Sequence, residues 1–297
     1  MRVFLTGATG FIGAALAREL LTAGHEVLGL ARSDAAADIL ARSGVEAHRG
    51  DLSELDSLTA GARACEGVIH TAFIHDFSAY AAAAETDRRA VEVMIGALEG
   101  SGKPFVLTSG TALLAPGRVG TELDAPAPGS AASLRAASEE TALAAPDRGV
   151  RASVVRLPPT VHGTGDHGFV PALIDIARRT GISAFIDDGA NRWPAVHRRD
   201  AVRLYRLALE NAAPGARLHA VAEEGVAMRA IAEAIGAGLG VPVRSLAKGQ
   251  APAHFDWLAA FVAIDNPTSS ALTRAALGWC PKEPGLVTDL NESGYFQ

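Results

Sequence analysis

Residues 2–13 read Arg2-Val3-Phe4-Leu5-Thr6-Gly7-Ala8-Thr9-Gly10-Phe11-Ile12-Gly13. An apolar run of strand length stops at Gly7, and glycines follow at intervals of three. A helical pattern then sets Ile12, Ala15, Leu16, Leu20 and Ala23 on one face until Gly24 ends it. The first glycine allows the tight turn, the second lets backbone approach a diphosphate, and the third lets helix pack on strand. The start of the helix then offers unpaired N–H groups to the anion. With a further strand beginning at Glu26, this order of elements identifies a dinucleotide-binding loop. The expected contacts are Gly7, Thr9, Gly10, Phe11, Ile12 and Gly13.

Working outward, short apolar runs at 2–6, 26–31, 45–49, 67–71, 105–108 and 152–157 alternate with helical patterns. Near-continuous apolar strands between helices predict a parallel sheet covered on both faces, an α/β Rossmann-type doubly wound fold. We expect a cofactor-binding domain at 1–160 and a smaller C-terminal substrate lobe at 161–297. Elements at about 195–221 return to the main domain. Helical patterns are expected at 168–179, 199–211 and 226–239, and the Pro-, Gly- and Ala-rich stretch 116–130 is expected to form a lid or rim.

The 297 residues are 48% hydrophobic and 20% charged, a globular composition. The 27 Lys+Arg against 33 Asp+Glu give a net charge of −6, which argues against a nucleic-acid partner. Cys65 and Cys280 are too few for a disulfide scaffold or a cysteine-rich metal site, and no His/Asp/Glu spacing predicts a metal. No apolar run of about 18 residues occurs, so no membrane partner is expected. The amino end resembles a signal peptide only until its glycine spacing and the charges at Arg18 and Glu19 are read. The expectation is a soluble, cytoplasmic protein.

The second strand ends Ala31-Arg32-Ser33. An acidic residue there would bind a ribose 2′-hydroxyl, whereas Arg32 suits a 2′-phosphate as a charge-assisted partner. With Ser33 beside it, this favours NADP(H) over NAD(H), although Asp34 and Asp38 lie just beyond.

The pattern resembles the short-chain dehydrogenase/reductase superfamily in its extended or atypical branch, near the NAD-dependent epimerase/dehydratase proteins. Gly7-x-x-Gly10-x-x-Gly13 is similar to that branch's cofactor loop, and Asp51-Leu52 to its adenine-contacting pair. His70-Thr71-Ala72 stands where the family lines the cofactor. Thr108-Ser109-Gly110-Thr111 stands where it places a catalytic Ser or Thr. The run from Arg156 through Pro158 and Thr160 to His162 and Gly163 resembles the segment beside the nicotinamide. Residues 193–200 and 276–281 resemble the downstream signatures. The resemblance implies Thr71, Ala72, Pro158 and Thr160 as cofactor contacts. It also implies a possible homodimer through helices near 85–101 and 133–146.

One part of that pattern is missing. The family's Tyr-x-x-x-Lys occurs nowhere: Tyr80 is followed four residues on by Ala84, Tyr205 by Leu209, and Tyr295 lies too near the end. Arg135 stands in the Tyr position and Glu139 in the Lys position. Arginine remains protonated and is a poor proton donor, but it stabilises a developing alkoxide or clamps an anion. Glu139 is expected to accept from ribose hydroxyls. The catalytic candidates are therefore Ser109, Thr111, Arg135, Glu139 and His162, the last as a proton source. His75 and His167 are weaker candidates for the proton source, and Asn191, Arg192 and Trp193 are substrate-binding candidates.

Three functions follow as expectations. The first is an NAD(P)(H)-dependent oxidoreductase that reduces a small-molecule aldehyde, ketone or related carbonyl. The second is a non-catalytic NADP(H)-binding redox sensor, motivated by the missing pair. The third is a sugar-nucleotide epimerase or dehydratase, which needs a diphosphate grip from residues such as Arg178, Arg179 and Arg192.

Overall fold

Val3 and Leu5 of β1 (Arg2–Thr6) join one hydrophobic core and Phe4 joins another, as the period of two along a strand requires. In the computed structural model, which describes residues 1–76, 79–129 and 133–297, the chain continues as α1 (Phe11–Thr22), β2 (Glu26–Ala31), α2 (Asp34–Arg42), β3 (Glu46–Arg49), α3 (Leu55–Arg63), β4 (Gly67–His70), α4 (Tyr80–Ala97), β5 (Pro104–Gly110), α5 (Ala136–Ala144) and β6 (Arg151–Leu157). There follow β7 (Thr160–His162), α6 (Phe169–Thr180), β8 (Ser183–Ile186), β9 (Arg192–His197), α7 (Arg198–Asn211), β10 (Ala216–His219), β11 (Glu223–Ala227), α8 (Met228–Leu239) and β12 (Val243–Leu246).

The main sheet has the order β10-β6-β5-β4-β1-β2-β3, and its neighbours are parallel throughout. Helices α1, α2 and α7 bury Leu16, Leu40 and Leu204 with Val3 and Leu5. On the other face α3, α4 and α5 bury Leu58, Met94 and Ala142 with Phe4. Coverage on both faces explains why Val68, Ile69, Phe105, Val106, Val154 and Val155 form unbroken apolar runs. The strand order reverses between β1 and β4, and a crevice opens at the carboxyl ends of strands at such a point.

A third core, with Ile174, Trp193, Ile231, Ile235 and Phe255, holds together α6, β8, β9 and α8. There β9 lies between β11 (antiparallel) and β7 (parallel), while β8 pairs with β12. Helix α7 then carries the chain back to the first core, and β10 adds the last strand beside β6.

Two local features bear on the site. Strand β5 runs on to Gly110, because Ser109 and Gly110 still pair with Arg156 and Leu157 of β6. Ser109 is thus held on the sheet. Of the lid or rim expected at 116–130, the described part is pinned as a rim. Gly117 N–H donates to the Asp265 carbonyl and Gly120 N–H to that of Pro267, both at 2.8 Å. Glu122 accepts from the Thr273 amide and hydroxyl, both at 2.7 Å. The segment is a fixed rim, and its last expected residue, Ser130, lies outside the described residues.

Candidate active site

The glycine loop joins β1 to α1 at the crevice. Gly7 has φ +70°, and a Cβ there would sit 2.8 Å from the Ala72 nitrogen and the Thr71 hydroxyl. A Cβ on Gly13 would sit 2.0 Å from the Gly7 carbonyl oxygen. Loop, helix and the end of β4 therefore touch through backbone, and any side chain would part them. Gly10 is the N-cap of α1 and supplies no side-chain cap, and the first turn carries no acid. Thr9 and Gly10 are exposed, with Phe11 and Ile12 half-buried behind them. The helix start keeps its N–H groups and partial positive charge for an anion. Arg198 adds a cation: it stacks 4.4 Å from the Phe11 ring centroid and donates to the Phe11 carbonyl at 3.2 Å. Its buried Nε has no protein partner, and burial followed by the nearby Arg18 and Arg199 lowers its pKa.

These features fit a pyridine dinucleotide, whose diphosphate would lie against residues 7–13. At the far end of the cradle Arg32 is exposed. Asp34, the acid nearest it in sequence, is paired with Arg49 at 2.9 Å. The Ser33 hydroxyl caps α2 by accepting from the Ala36 amide at 3.2 Å. Asp51 accepts from the Ser53 hydroxyl and amide, both at 2.6 Å, and these bonds hold its carboxyl below the usual range. Leu52 is buried in the second core.

Beneath the loop, His70 ends β4 and bridges two groups. Its Nδ1 shares a hydrogen bond with the Thr6 hydroxyl at 2.7 Å, and its Nε2 with Asp87 of α4 at 3.1 Å. Asp87 also accepts from Ser138 of α5 at 2.6 Å. Thr71 donates to the Thr6 carbonyl at 2.8 Å and Ala72 N–H to the Thr6 hydroxyl at 3.2 Å. Asp87 and Ser138 carried no motif in the sequence. Their place in this network depends on two helices meeting a strand end.

The structure uses Glu139 otherwise than the expected ribose acceptor. It is fully buried and paired with Arg156, which donates from Nε at 3.1 Å and from Nη2. It also accepts from the Ser109 hydroxyl at 2.8 Å, and Arg217 stands at 3.5 Å. Ser109 therefore directs its proton inward, away from any carbonyl in the cleft. Thr111 has no exposure, and its hydroxyl donates to the Asn266 side-chain oxygen at 2.8 Å. Both serve the frame of the site, because a buried carboxylate or amide draws every neighbouring donor to itself.

Arg135 takes a different position. Its Nη2 donates to the Thr108 carbonyl at the end of β5, at 3.0 Å. Its guanidinium lies 4.2 Å from the centroid of Phe73, just past β4, and its Nε is buried without a protein partner. Phe73 makes T-shaped contacts with His75 and Tyr80, ring centroids 5.4 and 5.8 Å apart. Burial, then the charges of Arg135 and His167, lowers the His75 pKa. His167 packs against Phe11 of the glycine loop, with ring centroids 5.7 Å apart.

The remaining candidates are engaged by other parts of the protein. His162 is 1% exposed, with Nδ1 on Asp289 at 2.7 Å, so it has no open path to donate a proton. The Thr160 hydroxyl donates to the Pro194 carbonyl, and Pro158 is buried beside it. The Asn191 amide donates to the Val262 and Ile264 carbonyls at 2.7 and 3.1 Å. Arg192 forms a two-point pair with Asp265 at 3.1 and 3.0 Å. Trp193 is 1% exposed and donates to the Phe261 carbonyl at 3.2 Å. The cluster expected to bind substrate instead fastens β9 to residues 261–265. Its donors satisfy carbonyls of a segment that has no strand partner of its own. Among the described residues no group of three His, Cys, Asp or Glu side chains is placed to hold a metal ion.

A doubly wound parallel sheet with a glycine cradle at the turn from its first strand to its first helix defines the Rossmann-type class. The profile of the NAD dependent epimerase/dehydratase family matches residues 3–221, and the chain belongs to that family. It is an oxidoreductase of that class. An uncharacterized protein of Schizosaccharomyces pombe is 49% identical over 298 residues, covering 100% of both chains. A 4-hydroxy-2-methyl-3-oxo-4-farnesyl-3,4-dihydroquinoline-1-oxide ketoreductase of Stigmatella aurantiaca is 30% identical over 229 residues, 74% of this chain and 67% of that one. The solved dTDP-glucose 4,6-dehydratase DesIV of Streptomyces venezuelae, with NAD and TYD bound, shares the fold at TM-score 0.78 and 21% identity, covering 98% of this chain and 96% of that one. No described helix is long and apolar enough to cross a membrane.

Proposed function

We propose that this protein reduces the carbonyl group of a small aldehyde or ketone with NADPH. The observation that carries this reading is Arg135. It is a permanent cation fixed at the carboxyl edge of β5 with a buried N–H donor that no group among the described residues accepts. A donor in that state is suited to an oxygen on which negative charge develops. When bound, the dinucleotide would supply a hydride. The protein's part is to hold it on Gly7, Gly10 and Gly13, to set Thr71 and Ala72 against it, and to present the carbonyl oxygen to Arg135. Close orientation of the two reactants lowers much of the barrier. The ketoreductase relative supports reduction. The arginines expected to grip a sugar diphosphate do not converge, since Arg192 is held by Asp265 and Arg178 stands by Asp175 at 3.4 Å.

NADP(H) is favoured because Arg32 is exposed while Asp34 is engaged by Arg49. The free thiols, Cys65 buried and Cys280 exposed, fit a reducing compartment, and the cytoplasm is the compartment proposed. A homodimer through α4 and α5, which pack side by side, belongs to the same reading. The test is oxidation of NADPH, followed by its absorbance, with 4-nitrobenzaldehyde and with ethyl acetoacetate. Turnover with either, with its alcohol recovered, supports the reading. Tight NADPH binding without turnover on a broad carbonyl panel would instead favour the redox sensor, which further requires unequal affinity for NADP⁺ and NADPH.

A further inference from the structure

We infer that Tyr295 is a positioning residue for the dinucleotide: its hydroxyl fixes the loop 163–168 of the second lobe so that His167 rests on Phe11 at the start of α1. The inference rests on the dinucleotide cradle of the reading above.

The loop joins β7 to α6. Thr164, Gly165, His167 and Gly168 are exposed, and Gly163 and Gly165 have φ of +134° and +84°. Beside it lies an open cavity of about 190 Å³, lined among others by Gly163, Asp166, Ile174, Arg178 and Tyr295. An exposed face and a cavity leave little packing to hold such a loop, so its hydrogen bonds decide where it stands.

Those bonds converge on one atom. The Gly163 N–H donates to the Tyr295 oxygen at 2.9 Å, and the Tyr295 O–H donates to Asp166 Oδ2 at 3.1 Å. The Gly163 carbonyl stands farther off, at 3.3 Å. Burial, then the charge of Asp166, drives the Tyr295 pKa far above its ordinary value, so the phenol keeps the proton it donates. Asp166 extends the tie. Its Oδ1 accepts from the Gly168 N–H at 2.8 Å, and its own N–H donates to the Gly163 carbonyl at 3.0 Å. One hydroxyl thus binds the start of the loop directly and its end through Asp166.

Tyr295 is itself anchored. It follows a helix, Leu286–Glu292, whose Leu286 and Leu290 lie in the third core, and Tyr295 and Phe296 pack against that core. The hydroxyl therefore ties the loop to the core of the lobe, and does more than close the loop on itself. At the cradle, the His167 and Phe11 rings meet T-shaped, with centroids 5.7 Å apart. Phe11 opens α1, so its N–H belongs to the helix-start donors expected to meet the diphosphate. Arg198 covers the Phe11 ring, and the charge of Asp166 reaches Arg198. Without the hydroxyl the loop is free to leave Phe11, and the loss is felt at the cofactor.

The experiment titrates NADPH, with NADH in parallel, into wild type, Tyr295→Phe, His167→Ala and the double variant by calorimetry, and records the urea midpoint of each. Phenylalanine keeps the ring on the core and removes only the hydroxyl. We expect each single variant to weaken NADPH about 10-fold, or ~1.4 kcal/mol, the scale of one hydrogen bond. The double variant should bind within about 2-fold of the weaker single, because both changes act through one contact. A merely structural tyrosine would lower the urea midpoint and give losses that add. In wild type, NADPH should also slow amide hydrogen exchange at 163–168. Unchanged affinity in either single variant, losses that add, or exchange at 163–168 indifferent to NADPH overturns the inference and leaves the reductase reading intact. Should Tyr295→Phe fail to fold, His167→Ala and the exchange measurement decide. No heat from the wild type with NADPH or NADH overturns both.

Discussion

Glu139 and Arg156 form an ion pair with no exposure to solvent, reached from α5 on one side and the end of β6 on the other. Ser109 donates to the same carboxylate at 2.8 Å, and Arg156 continues to His219 at 3.3 Å and to the Asp124 carbonyl at 2.9 Å. One carboxylate therefore ties α5, β5, β6, β10 and the rim loop together. Removing it would leave Arg156 charged and unpaired in the interior. Glu139→Ala is expected to destabilise the protein by about 3–5 kcal/mol, read as a lower urea midpoint. Glu139→Gln should cost less, since an amide oxygen still accepts. Stability of Glu139→Ala within about 1 kcal/mol of wild type would show that the pair is not what secures this corner.

Gly13 tests the cradle. A Cβ there would lie 2.0 Å from the Gly7 oxygen, closer than any real contact, and the atom it meets is backbone. Gly13→Ala must push the helix from the loop, so NADPH affinity is expected to fall at least ~100-fold, about 2.7 kcal/mol. Gly24→Ala is the control, because nothing stands within 4 Å of its Cβ. At φ +83° it should cost some stability but leave the Kd alone. Calorimetric titration of both variants decides between them.

Arg32 tests the cofactor preference. If it holds a 2′-phosphate, Arg32→Ala should weaken NADPH by about 10- to 100-fold, the range of one charge-assisted contact of ~1.5–3 kcal/mol, and leave NADH nearly unchanged. Equal weakening of both cofactors, or of neither, would return Arg32 to the role of a solvated surface residue.

His219 gives a pH dependence with a definite sign. Arg156 can only donate, so His219 Nε2 accepts, and Nδ1–H is left to donate to the Ser269 carbonyl at 2.8 Å. The ring is thus held neutral, and burial drives its pKa well below the ordinary value. The unfolded chain takes up a proton below ~6.5, which the native chain refuses. The stabilisation is therefore complete above that pH and is lost progressively as the solution is acidified, until the native value is reached. Melting temperatures at pH 7 and 5 should fall more steeply for wild type than for His219→Gln, whose amide also accepts and donates. Parallel slopes would remove His219 as the cause.

The architecture was legible because its signals are local. The strand-turn-helix at residues 2–24, the apolar runs of β4, β5 and β6, and the helical phase of Met228, Ile231 and Ile235 depend only on neighbours a few residues apart. The site was legible in part. The resemblance to the Tyr-x-x-x-Lys pattern drew attention to Arg135 and Glu139, but not to the opposite surroundings of the two residues. A spacing of four in sequence does not reveal that β6 brings Arg156 to one of them while Phe73 lies against the other. Asn191, Arg192 and Trp193 look like a polar-aromatic binding cluster in sequence. Residues 261–265 carry the carbonyls and the carboxylate that engage them, some seventy positions away.

Periodicity and glycine spacing in the chain alone determined the doubly wound sheet, the cradle at Gly7–Gly13 and the absence of a Tyr-x-x-x-Lys pair. Only the tertiary structure decided which polar groups face the cleft and which are locked inside, and that Tyr80 and Arg135, 55 positions apart in the chain, share the ring of Phe73. The reason is physical: secondary structure answers to torsions and local burial, whereas the state of a buried charge or hydroxyl depends on the partners that other elements bring to it.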